Sequence, residues 1–388
     1  MTSTAIRPVE QPTASRQHAL LLIDPLLMLA ALGLVACSLI TLHGATHGSS
    51  SMDRQAIYAS LGLVISLVLA VTDYSRLREY KYVLYGTMIV LNLTVFGMPA
   101  VNGSRRWIPL PLFQFQSSEF GKILLIVALA AFIVDRARRL NEIRTTARIM
   151  MLAVLPALIV VPQPDLGTAM VYVVIGFTVL FVAGTSWKHL AALLAIAAIA
   201  VGVVAGGPAF GVHVLKPYQQ QRLTGFLNPS RDPRNQTYNI TQSEIAIGSG
   251  EKTGRGTSGA TQTGLDYLPA PSTDFVFAAL GETYGFVGAA LVLSLYALLI
   301  WRALRILMVA KNLYGTVIAG GVLAMLMFQI FINVGMTIGI MPITGVPLPL
   351  MSYGGSSVLV TFIAIGLLQS IYVQGRKATA GKNRGLIG

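Results

Sequence analysis

Between Lys311 and Arg376 the chain carries no Asp, Glu, Lys or Arg. A run of that length has nothing to hold it in water, whereas a bilayer core about 30 Å thick accepts about 20 mostly apolar residues per helical crossing. One stretch dense in Pro and Gly, Pro342 to Gly355, divides the run into two spans. Unpaired backbone groups in hydrocarbon cost several kcal/mol each, so spans of this kind must be helices or a closed barrel, and their length and continuous apolarity select helices. The same reading over the whole chain predicts about ten of them: Pro25 to Leu42, Gln55 to Thr72, Tyr80 to Met98, Ser118 to Val134, Arg148 to Val161, Leu166 to Gly184, Lys188 to Gly206, Thr273 to Trp301, Asn312 to Ile340 and Ser356 to Tyr372. The composition agrees, with 54% hydrophobic and only 11% charged residues, against about 25% charged in soluble domains. The expected fold is therefore an all-α polytopic membrane protein, and a soluble globular enzyme is excluded.

The charge balance is basic, with 28 Lys and Arg against 15 acids and a formal net charge of +13. In a soluble chain this would suggest nucleic acid; in a membrane chain it places basic loops against anionic lipid, so no nucleic-acid partner is expected. The loop from Asp135 to Arg148 is rich in Arg, and Arg76, Arg78, Lys81, Lys188, Arg302, Arg305, Lys311, Arg376 and Lys377 fall on the same face. By the positive-inside rule that face is cytoplasmic, and an even number of spans puts both termini there. Residues 1–20 read as a disordered cytoplasmic tail, 21–375 as one membrane domain and 376–388 as a basic cytoplasmic tail. Residues 207–272 form a long extracytoplasmic loop between the seventh and eighth helices, whose mixture of Gly with aromatic and apolar residues predicts partial order against the membrane. The lone Cys37 excludes an intrachain disulfide.

Ionisable groups near the membrane are the informative residues, because they are costly there. Glu119 and Lys122, at spacing i, i+3 on the fourth helix, share a face and can neutralise each other; they fit either a functional pair or an interfacial helix start. Asp165, in Gln163-Pro164-Asp165-Leu166-Gly167-Thr168, fits a helix N-cap or a site residue. Asp274 stands where the long outer loop passes into the eighth helix and fits a helix cap or a carboxylate poised to take a proton from a sugar hydroxyl. Glu282 lies two turns on and faces the same cavity or bonds a neighbouring helix. Arg105, Arg106 and Trp107 suit a phosphate at headgroup depth or an interfacial anchor, and Arg54, Lys216 and Arg222 are further outer-face cations. Residues 248–256 contain Gly, Lys and Thr but lack the phosphate-loop spacing, which excludes an ATPase of that type. The histidines lack metal-ligand spacing. The small residues Gly285, Gly288, Gly315, Gly320 and Gly321 suit packing inside the bundle or against a partner's single helix.

Read in order, Asn102-Gly103-Ser104-Arg105-Arg106-Trp107-Ile108, Ser118-Glu119 with Lys122, Gln163 to Ala169, Ile245 to Gly250, Gly259 with Thr261-Gln262, Thr273-Asp274-Phe275, and Pro347-Leu348-Pro349 with Ser352 to Ser357 resemble the SEDS family (shape, elongation, division and sporulation), and its RodA-like branch in particular. The chain departs from the family's usual residues at Ser117, where Pro is common, at Glu251, where Gly is common, and at Ala270, where an acid is common. The resemblance implies a peptidoglycan glycosyltransferase that polymerises lipid II on the outer face of the bacterial inner membrane, in cell elongation and rod-shape maintenance. A lipid II flippase or a non-catalytic scaffold is the competing expectation. Inversion at the donor sugar implies a base, Asp274, and positive charge at the leaving diphosphate from Arg106, Lys122 and Arg54, with Glu119 holding Lys122 and Asp165 orienting the cavity. No cofactor is required by these residues, and a divalent cation such as Mg²⁺ is an open expectation. The implied partners are a class B penicillin-binding protein transpeptidase, rod-complex proteins and membrane lipid.

Overall fold

The structure, a computed structural model, describes residues 22–45, 49–99, 106–109, 114–206 and 236–385. The N-terminal tail, Arg105, Lys216 and Arg222 lie outside the described residues. Ten apolar helices carry the architecture, seven of them long and apolar enough to cross a membrane and three shorter. They are α1 (Pro25–Ala45), α2 (Ser49–Val71), α3 (Lys81–Thr94), α4 (Ser117–Asp135), α5 (Ile143–Val160), α6 (Leu166–Val182), α7 (Trp187–Gly206), and, after the outer segment, α11 (Val276–Val309), α12 (Leu313–Thr337) and α13 (Gly355–Gly385). The outer segment itself contains α8 (Gln236–Ser249) and the single turns α9 (Gly256–Gly259) and α10 (Thr261–Gly264), and a two-stranded hairpin, β1 (Trp107–Pro109) with β2 (Gln114–Gln116), precedes α4.

Three helices form the centre. The most apolar windows of α4, α12 and α13 are 83%, 78% and 89% buried, whereas those of α1, α2 and α11 are 44%, 33% and 28% buried and present apolar side chains outward. Exposed apolar faces of this size belong against lipid acyl chains. Neighbouring pairs are α2 with α13, α5 with α6, α1 with α11, α3 with α4, and α12 with both α6 and α11. Glycines set several of these crossings: a Cβ on Gly315, Gly320 or Gly321 would stand within 2.8 Å of Tyr74, Val182 or Ile126, so these positions serve packing inside the bundle.

The long helix α11 begins at Val276 and extends to Val309, shifted from the predicted Thr273–Trp301 span. Its regularity breaks at Gly285, where φ is +62° and ψ −160°. The loop that follows α8 enters this break. Phe286 N donates to Glu251 O at 2.9 Å, Val287 N to Lys252 O at 3.1 Å, and Arg255 N donates to Glu282 O at 2.9 Å. The groups freed by the interruption are thus paired by neighbouring chain, as burial in a membrane protein demands. Close approach requires glycine here: a Cβ on Gly254 would meet Thr283 O at 2.2 Å and one on Gly250 would meet Gly281 O at 1.9 Å. Glu251 itself is left-handed, with φ +48°, a conformation that suits the glycine common at this place in the family. At the other end of the chain, α13 continues through the basic residues from Arg376 as helix.

The two ends of the bundle differ in chemistry. At one end Arg78 and Lys81 pair with Asp135, and Arg302 Nε donates to Asp24 Oδ2 at 2.9 Å. Asp24 is fully buried; its Oδ1 caps the start of α1 through Leu27 N at 3.0 Å, and its backbone exchanges hydrogen bonds with Gln369 of α13. A paired and hydrogen-bonded carboxylate of this kind closes the basic end by tying α1, α11 and α13 together. The opposite end, where α4, α6 and α11 begin, holds the candidate site.

Candidate functional site

The first turn of α4 carries Glu119 and Lys122 on one face, and the two side chains meet at 2.6 Å with only 2% and 0% of their surfaces exposed. The i, i+3 spacing therefore produces a closed ion pair rather than two cavity-facing charges. Asp165 is the N-cap of α6, accepting from Thr168 N at 3.2 Å. Its other oxygen accepts from Ser118 Oγ at 2.8 Å and from Gln116 Nε2 at 3.0 Å. Cap and network are the same residue: Asp165 fixes the start of α6 and joins it to α4. Tyr172 OH donates to Ser118 O at 2.9 Å, and Gln163 Nε2 donates to Asn92 O at 2.7 Å, which adds α3 to the assembly.

The hairpin before α4 brings Arg106 to this network. Trp107 pairs with Gln116, so the residue that binds Asp165 stands opposite the indole beside Arg106. The Arg106 guanidinium lies 4.7 Å from the Trp107 ring centroid, and its Nε is buried without a hydrogen-bond partner among the described residues. A guanidinium stacked on an aromatic face with an unsatisfied N–H is prepared to bind an oxyanion. Arg54, on α2, is exposed.

Asp274 lies immediately before α11 and is partly buried. Its backbone is clamped from two directions. Asn333 Nδ2, on α12, donates to Asp274 O at 3.1 Å and to Val346 O at 2.8 Å. Ser352 Oγ donates to Thr273 O at 2.6 Å, and Tyr353 N to Ser272 O at 2.8 Å. The Asp274 carboxylate stands beside Gly345, where an added Cβ would be 3.7 Å from Oδ2. Glu282, fully buried, turns away to the outer segment: it accepts from Gln262 N at 2.7 Å, Thr263 N at 2.9 Å and Thr263 Oγ1 at 2.6 Å. It therefore anchors α10, the turn that leads into the Asp274 arch.

The Pro342–Gly355 segment joins the two halves of the site. On one side it holds Asp274. On the other, Gly167, two residues after Asp165, approaches so closely that a Cβ there would meet Val346 Cγ2 at 2.4 Å and Thr344 O at 3.0 Å. Ser356 Oγ accepts from Gln116 N at 2.9 Å. Ser38 Oγ of α1 donates to Met351 O at 2.7 Å, Gln55 Nε2 of α2 to Ser352 O at 3.2 Å, and Tyr296 OH of α11 to Pro349 O at 2.6 Å. An irregular segment at membrane depth is stable only with its carbonyls satisfied in this manner.

Sequence reasoning missed Gln55, Gln116 and Asn333 and gave no role to Ser352. Their signal was available: amide and hydroxyl side chains inside otherwise apolar spans hydrogen-bond to neighbouring elements. Among the described residues no three His, Cys, Asp or Glu side chains gather as a metal cage. His189 Nδ1 instead lies 3.1 Å from Thr146 Oγ1.

Comparison with known proteins agrees with this geometry. A profile of the FtsW/RodA/SpoVE cell cycle protein family matches residues 17–377. The peptidoglycan glycosyltransferase MrdB of Escherichia coli K12 is 37% identical over 352 residues, covering 90% of this chain and 93% of its own length. A solved chain described under structural coordination of polymerization and crosslinking by a peptidoglycan synthase complex superposes with TM-score 0.77 at 31% identity, covering 91% of this chain and 98% of that one. The rod shape determining protein RodA of Thermus thermophilus superposes with TM-score 0.66 at 28% identity, covering 90% and 96%. With the match running through nearly every helix and every motif of the site, the chain belongs to the FtsW/RodA/SpoVE family of cell cycle proteins.

Proposed function

We propose that this integral membrane protein is a RodA-like peptidoglycan glycosyltransferase that polymerises lipid II into β-1,4 glycan strands, releasing undecaprenyl diphosphate, during cell elongation. Its site opens on the extracytoplasmic face of the bacterial inner membrane and both termini are cytoplasmic, in keeping with the basic residues gathered at the opposite end of the bundle. The observation that supports the reading is the setting of Asp274: a partly buried carboxylate at a loop-to-helix junction, whose backbone is fixed by Asn333 and whose side chain stands beside Gly345.

The donor sugar is α-linked to diphosphate and the product is β-linked, so one displacement inverts the anomeric carbon. Asp274 takes the proton from the acceptor 4-hydroxyl as its oxygen attacks, and the bond to the diphosphate breaks. Negative charge then grows on the leaving diphosphate. Arg106, with its unsatisfied Nε, and the exposed Arg54 bind it. Lys122 is enclosed against Glu119, which offsets its charge, so the pair's part in the site is to fix the first turn of α4, and Asp165 orients the α4 and α6 starts around the headgroup. Among the described residues no carboxylate cluster gathers at Asp274; a divalent cation such as Mg²⁺, if bound there, would be held by Asp274 together with the substrate and would help neutralise the leaving diphosphate. A class B penicillin-binding protein transpeptidase, acting with rod-complex proteins, crosslinks the strands.

The test is purified protein, alone and with its cognate transpeptidase, given fluorescent lipid II and resolved as glycan ladders on a gel. Wild type should form ladders and a folded Asp274→Ala variant should form none. Ladders persisting in the variant would move the base elsewhere. No ladders from any wild-type sample would favour a flippase or scaffold.

A further inference from the structure

The basic end of the bundle contains a pocket that plays no part in the site above. Its volume is about 460 Å³, and it lies between the end of α2, the turn before α12 and the last turns of α13. Its lining brings the apolar Val71 and Val373 together with Asp73, Lys311, Gln374 and Lys377.

These polar groups are organised. The Lys311 ammonium contacts the Gln374 amide oxygen, stands 3.9 Å from Asp73 Oδ1 and lies 5.5 Å from the centroid of the Tyr74 ring. Asp73 is itself held by Ser75 N at 2.8 Å. Burial works to raise the Asp73 pKa, but the hydrogen bonds from Ser75 and Gln374 and the charge of Lys311 outweigh it and hold the carboxyl below its ordinary range. Asp73 is thus ionised at neutral pH and offsets one ammonium. Lys377 lies three residues beyond Gln374, on the same face of α13, and forms no ion pair among the described residues. The pocket therefore combines two ammoniums with one carboxylate and lacks one negative charge, and the apolar Val71 and Val373 stand beside these polar groups in the same lining.

We propose that this pocket binds the phosphate of an anionic phospholipid, with Lys377 and Lys311 at the phosphate and the Val71–Val373 wall against the first methylenes of the acyl chains. A free phosphate shares the anion chemistry but leaves the apolar wall uncovered. The proposal rests on the membrane fold and on this end facing an anionic leaflet; it is independent of the role of Asp274.

The test uses full-length protein in phosphatidylcholine nanodiscs, titrated with short-chain phosphatidylglycerol, short-chain phosphatidylcholine or inorganic phosphate. Bound lipid is counted by native mass spectrometry after release. Wild type should retain phosphatidylglycerol in preference to phosphatidylcholine. Lys377→Gln should weaken that retention about fivefold, the effect of one lysine near an anionic surface, and Lys377→Arg should restore it. Lys377 is exposed and pairs with no acid among the described residues, so Lys377→Gln should fold as wild type does, and its ladder formation should match wild type. Equal retention of the two lipids, equal retention by wild type and Lys377→Gln, or full competition by inorganic phosphate would each overturn the proposal.

Discussion

The buried pair of Glu119 and Lys122 makes a prediction in which stability and chemistry separate. Replacing Glu119 with Leu leaves an ammonium with no exposed surface and no counter-charge, since its partner lies at 2.6 Å and both groups are closed off from water. Breaking a buried pair by removing one partner costs about 3–5 kcal/mol, whereas replacing both partners with apolar groups of similar size is close to neutral or stabilising. Glu119→Leu should therefore lower the apparent melting temperature in detergent strongly, and Glu119→Leu/Lys122→Met should recover most of the loss. The double-mutant coupling should be several kcal/mol, well beyond the few tenths seen for independent sites. If Lys122 also supplies charge to the leaving diphosphate, the restabilised double variant should still form no ladders or form them at least about tenfold more slowly, a difference of about 1.4 kcal/mol in barrier. A double variant no more stable than Glu119→Leu would refute the uncompensated-charge argument. A stable double variant polymerising at the wild-type rate would reduce the pair to a structural element.

Two further outcomes follow from other parts of the site. Asn333→Leu removes both donors that hold Asp274 O and Val346 O; initial rates over a lipid II series should show kcat reduced about tenfold or more with KM changed little, because the proposed base is displaced while the proposed anion-binding groups remain. Gly254→Ala should abolish monodisperse folded protein on size-exclusion chromatography, since its Cβ would lie 2.2 Å from Thr283 O and the position has φ +83°; normal elution would show that the loop inside the α11 break yields easily.

The helices were legible in the sequence because bilayer thickness converts apolarity into length, and their order followed from where charge returned. Asp274 and Asp165 were legible as residues at loop-to-helix junctions. What local sequence did not reveal was that Asp165 serves as cap and as network centre together, because Gln116 and Ser118 reach it only after the hairpin and α6 converge. The Lys122 ammonium read as an available cation, but i, i+3 geometry in a packed helix closed it against Glu119. The Pro342–Gly355 segment read as a break between spans. Its carbonyls are instead received by donors from α1, α2, α11 and α12, contacts separated by hundreds of residues in the case of Ser38 and Gln55, beyond the reach of any periodicity.

The interruption of α11 at Gly285 fixes how the site can move. A helix broken in this way would ordinarily be a hinge, but here the 251–255 loop is threaded through the gap by backbone hydrogen bonds on both sides of it. The described residues of the outer segment, 236–272, are consequently tied to α11 on both sides of Gly285, and a second time through Glu282 and α10. Any motion that carries Asp274 toward or away from the hairpin bearing Arg106 therefore moves the described outer segment with it, against α12 and the Pro342–Gly355 segment. The contacts across that boundary are made by Asn333, Ser352 and Tyr353, and by Ser243 of α8, whose Oγ donates to Thr337 O at 2.7 Å, so a ligand or partner that grips the described outer segment acts through them on the position of the proposed base.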